Sequence, residues 1–73
     1  MTYEEFVINV MNMVEDCPKC WRKEQSVFNI VNEKYGVARD VQFIDGIDCF
    51  YNDNEIDRFL TAAYVRIMNN KIL

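Results

Sequence analysis

Cys17-Pro18-Lys19-Cys20 sets two thiols three positions apart, the spacing that grips zinc or forms a redox pair. A structural zinc site wants four ligands, usually two such pairs or one pair with histidines. The chain has no histidine and one further cysteine, Cys49, so Asp16, Asp45 or Asp48 would have to complete an unusual set. Thioredoxin-type chemistry needs the pair at a helix start behind a strand, and no strand pattern precedes it. Cys17, Cys20 and Cys49 therefore stand as weak metal candidates against a plainer reading, a turn with small reduced thiols. No metal or other cofactor is expected.

A second cluster, Asp48, Asn52, Asp53, Asn54 and Glu55, is dense in the oxygen ligands that calcium takes. The EF-hand order is not matched, because Gly46 precedes the cluster and Phe50 falls where a ligand is needed. The plainer reading is that these side chains satisfy the free amides at the start of the last helix. Phe50 and Tyr51 are adjacent rings that cannot face the same way in an extended segment. Either Tyr51 is a surface anchor for a partner or both rings cover the small core. Trp21 beside Arg22 reads as a core edge covered by the arginine stem. No nucleophile stands near a recognisable base and no glycine-rich loop could cradle phosphate, so no enzymatic activity is expected.

Eight basic and twelve acidic residues give a net charge of −4. Direct nucleic-acid binding is not expected of such a chain, since neutralising phosphates needs a basic surface. The charge is uneven: residues 1–18 sum to −4, 19–39 to +3, 40–57 to −6 and 58–73 to +3. The block from 40 to 57 has little local compensation unless the basic second helix folds beside it. It nominates Asp45, Asp48, Phe50, Tyr51, Asp53, Glu55 and Asp57 as residues that meet a basic surface on a partner protein. The plainer reading is a solvated face that keeps a small protein soluble.

These residues must be positioned by few elements, because 73 residues make one domain with a small core. Thr2 with Glu5 forms a capping box, and Tyr3, Phe6, Val7, Val10, Met11 and Val14 follow as one helical stripe that Asp16 and Pro18 end. A second helix is predicted from Trp21 to Tyr35, burying Val27, Phe28, Val31 and Tyr35 and stopping at Gly36. Val37, Arg39, Val41 and Phe43 alternate as in a strand, but a lone strand has nothing to pair with, so a short helical turn from Ala38 to Phe43 is preferred. Asp45-Gly46 marks a turn, and Ile47 to Tyr51 reads as an extended connector. Asn52 with Glu55 caps a last helix carrying Ile56, Phe59, Leu60, Ala63, Tyr64 and Ile67, which frays near Asn69 and Asn70. The expected fold is all-α: a compact three-helix bundle over residues 1–73 with a short extra helical or extended element between helices two and three. No run is long enough for a membrane span, and the acidic start is not a secretory signal, so a cytoplasmic location is expected.

Three stretches together, Trp21-Arg22-Lys23-Glu24-Gln25-Ser26-Val27-Phe28-Asn29, Tyr35-Gly36-Val37-Ala38-Arg39 and Asp48-Cys49-Phe50-Tyr51-Asn52-Asp53, resemble a group of small proteins of bacteriophages, prophages and mobile elements. That group has the rough pattern R-x-[GE]-Q-x-x-F-N, then D-[CP]-F-Y-[DN]-D and an apolar helix. The resemblance covers residues 21 to 67. It implies a bacterial cytoplasmic setting and carries no activity or residue role. Glu24 stands where the pattern often has Gly and implies an earlier start to helix two. Size, acidity and setting together lead to an expected interaction protein whose partner is a host or phage protein. One version inhibits a host protein such as a CRISPR-type defence nuclease, as a nucleic-acid mimic does. The alternatives are an accessory subunit that self-associates through apolar surface at Met11, Met13 and Met68, and a zinc-stabilised module.

Overall fold

Thr2 opens the first helix through the reciprocal pair that its spacing predicts. Its hydroxyl accepts the Glu5 amide at 3.1 Å while the Glu5 carboxylate accepts the Thr2 amide at 3.0 Å. In the computed structural model, which describes residues 1–49 and 53–72, this helix is α1 (Tyr3–Glu15). It is followed by α2 (Lys23–Tyr35), α3 (Ala38–Phe43) and α4 (Ile56–Ile72), the last entered through a single 3-10 turn at Asp53–Glu55. There is no strand among the described residues, and the fold is an all-α bundle of three long helices with the short α3 between the second and third.

The second helix begins two residues later than the sequence suggests. Arg22 is extended (φ −73°, ψ 159°) and its amide is taken by the Gln25 side chain at 3.1 Å, so the helix starts at Lys23 and Glu24 does not draw it earlier. Gly36 ends it in the left-handed region (φ 71°), donating its amide to Val31 and Asn32. The chain turns there straight into α3, whose Ala38 and Val41, three apart, face the core. The last helix does not fray at Asn69 and Asn70; it continues to Ile72.

Each long helix buries the centre of the stripe read from its spacing, with Tyr35 only half-buried and Ile30 added on α2. Phe6 and Val10 come from α1, Val27, Phe28, Ile30 and Val31 from α2, and Ile56, Phe59, Leu60, Ala63 and Ile67 from α4. Phe6 joins all three: its ring meets Tyr35 edge-on at 5.2 Å and lies tilted against Tyr64 at 5.8 Å. The radius of gyration, 11.4 Å, matches the value of about 11 Å expected of a folded chain this long. Among the described residues, the polar Glu24 and Ser26 are buried. Glu24 lies in the first turn of α2, where the dipole favours its charge, with the Arg22 guanidinium 3.0 Å away.

Candidate interaction surface

The three cysteines do different things. Cys49 is fully buried and its thiol donates to the Glu24 carbonyl at 3.7 Å, pinning the connector before α4 to the start of α2. Burial pushes that thiol up to about 12, so it stays protonated. Cys17 donates to the Met13 carbonyl at 3.6 Å, and Cys20 is exposed. Among the described residues no three Cys, Asp or Glu side chains gather as metal ligands do.

Among the described residues, Asp45 and Glu55 of the acidic segment are paired with arginines of α4. Asp45 receives a two-pronged contact from Arg66, Nε to Oδ2 at 2.9 Å and Nη2 to Oδ1 at 2.8 Å. The guanidinium holds the Asp45 carboxyl below its ordinary range. Glu55 is bound by Arg58 at 2.9 Å, one turn away. Asp57 is exposed and Asp48 half-buried. Phe50, Tyr51, Asn52 and the side chain of Asp53 lie outside the described residues, so the proposed aromatic anchor and two of the five residues of the calcium cluster do too.

The structure displays two residues that the sequence reading passed over. Phe43 is 75% exposed and Ile44 70%, side by side at the C-terminal end of α3. Their presentation is fixed from several directions. The Asp40 carbonyl accepts the amides of Ile44 and Asp45, Gly46 turns the chain in the left-handed region (φ 72°), and the Ile47 amide returns to the Val41 carbonyl. The Asp45 clamp then ties this turn to α4. On α3 itself, Arg39 stands four residues before Phe43 and Asp40 four before Ile44, so each apolar side chain shares its edge of the helix with a charge. Just beyond the turn, Ile47 lines a shallow apolar groove of about 370 Å³ with Asp57, Arg58, Thr61 and Ala62. Met11, Met13 and Met68 are partly buried against the core, while Phe43, Ile44, Ile8 and Val65 stand further out in solvent.

Helical phase would have found Phe43, which falls on the side of α3 opposite Val41. Ile44 had no such signal, because it caps the helix and its exposure depends on where the following turn goes. No helix among the described residues is long and apolar enough to cross a membrane. No protein-family model matches the chain, and no curated protein or solved structure is significantly similar to it.

Proposed function

We propose that this chain is a protein-interaction module that seats the end of α3 in an apolar recess of a basic partner surface. The observation that carries the reading is the pair Phe43 and Ile44, large, adjacent and exposed on a backbone held by hydrogen bonds and an ion pair. Solvating two such side chains together is unfavourable, and anchors of this kind dominate binding where they are buried by a partner. Asp40 and Asp57 are exposed and Asp48 half-buried within the same segment, which favours lysine and arginine at the rim of the recess and repels an acidic one. Occupation of a basic surface on a host protein, with inhibition as its consequence, is the form this takes for a protein of phage or mobile-element origin.

The test is affinity capture from a bacterial lysate, mass identification of the captured protein and measurement of its affinity. Replacing Phe43 or Ile44 by Ser should weaken that affinity by about 30-fold or more, the loss expected of a binding anchor. Replacing Asp40, Asp48 and Asp57 by Asn should slow association and flatten its salt dependence. An affinity indifferent to all five changes would sink the reading. A second reading, self-association, is favoured by Ile8 and Val65, which are 57% and 51% exposed on other helices. Light scattering separates the two, because a chain that binds only other proteins keeps the mass of one copy at every concentration.

A further inference from the structure

We propose that the groove between the C-terminal end of α1 and the outer side of α2 binds the arginine side chain of a partner peptide. This groove, of about 360 Å³, is floored by Met13, Cys17, Pro18, Trp21 and Ile30. Its size is at the low end for ligand sites, which run from about 300 to 1,000 Å³, and suits one long side chain with its apolar neighbour.

Four features favour a cation there. Trp21 is 40% exposed and presents an indole, the best of the aromatic rings for holding a cation over its face. Asp16 and Glu33 bring carboxylates to the rim. The groove also lies at the C-terminal end of α1, where the helix dipole is negative and no basic side chain occupies the last turn. Among the described residues lining the groove, Lys34 is the cation that opposes this. Its ammonium is 4.0 Å from Glu33 with both side chains mostly in water, a contact too weak to hold the carboxylate against a competitor. Arg22 is turned away to Glu24 at 3.0 Å. Arginine fits better than lysine, because a planar guanidinium stacks on an indole while its edge donates to a carboxylate. The apolar floor takes the stem and a flanking apolar residue.

Trp21 is the only tryptophan, so its emission reports directly on this groove. The full chain is titrated with a short blocked peptide carrying one arginine beside one leucine, and with the same peptide carrying neutral, isosteric citrulline. The arginine peptide should change Trp21 emission saturably and bind about tenfold or more tighter than the citrulline one, the factor expected of a charge-assisted hydrogen bond. Exchanging Asp16 for Asn and Glu33 for Gln should erase that difference, and exchanging Lys34 for Gln should tighten binding, with the melting temperature unchanged because all three side chains are at the surface. Equal affinities for the two peptides, or no saturable change with arginine, would overturn the proposal. Phe43→Ser should leave the titration unaltered, which separates this site from the one at α3.

Discussion

At the scale of single residues, the thiols differ in ways that their spacing does not show. Cys17 and Cys20 have the separation of a metal or redox pair, yet each answers to its local backbone: Cys17 bonds to the Met13 carbonyl one helical turn back, and Cys20 sits in the turn closed by the Trp21 amide on the Pro18 carbonyl. Cys49, which the sequence offers only as an odd third sulfur, is the structural one, bonded to a carbonyl 25 residues away. Nothing in the spacing could announce that contact, because it depends on the connector lying across the start of α2. The consequence is a graded reactivity. An exposed-thiol reagent at neutral pH should modify Cys20 first, Cys17 more slowly, and Cys49 on the order of 10³- to 10⁴-fold more slowly than Cys20, since reaching it requires an opening that costs roughly 5 kcal/mol. Mass spectrometry of the timed labelling mixture checks the order. Early labelling of Cys49 would mean that the connector is not held against α2.

At the scale of elements, the long helices were legible because each carries its own start signal and stripe. The first capping box and the glycine stop of α2 are both found where the sequence puts them. What escaped were features set by neighbours: the start of α2 depends on Gln25 reaching back to Arg22, and the compensation of Asp45 depends on α4 bringing Arg66 alongside the turn. The candidate surface was accordingly half legible, its acids visible in the sequence and its apolar tip visible only once α3 had a phase and the turn after it a direction. Two substitutions test the elements. Phe6→Ala removes the ring shared by α1, α2 and α4 and should cost about 3–5 kcal/mol by chemical denaturation. Gly36→Ala meets no steric neighbour but places an L side chain at φ 71°. It should cost about 1–2 kcal/mol through backbone strain alone, and a neutral result would show that the corner between α2 and α3 can relax.

At the scale of the whole molecule, the net charge of −4 bears on solubility and association, whereas the pH dependence of stability follows from particular groups whose pKa differs between the folded and unfolded chain. The Thr2 amide and hydroxyl hold Glu5 below its ordinary value of 4.5, and Arg66 holds Asp45 below 3.8. Each favours the folded chain only while the carboxylate is charged. Their contribution is therefore complete above those ordinary values and is lost as pH falls through the lower folded ones. Cys49 acts in the opposite direction. Its thiol is raised from 9.0 to about 12, so the folded state keeps a proton that the unfolded chain releases. Stability is intact below the ordinary thiol value and declines above it, by up to about 1.4 kcal/mol per pH unit, until the folded thiol itself ionises. The melting temperature should accordingly be level between about pH 5 and 9 and fall on both sides. Glu5→Gln and Asp45→Asn should shallow the acid limb and leave the alkaline one alone. Cys49→Ala should lower the plateau, since it removes a buried side chain, and shallow the alkaline limb. An alkaline limb as steep in Cys49→Ala as in the parent would remove Cys49 as its cause.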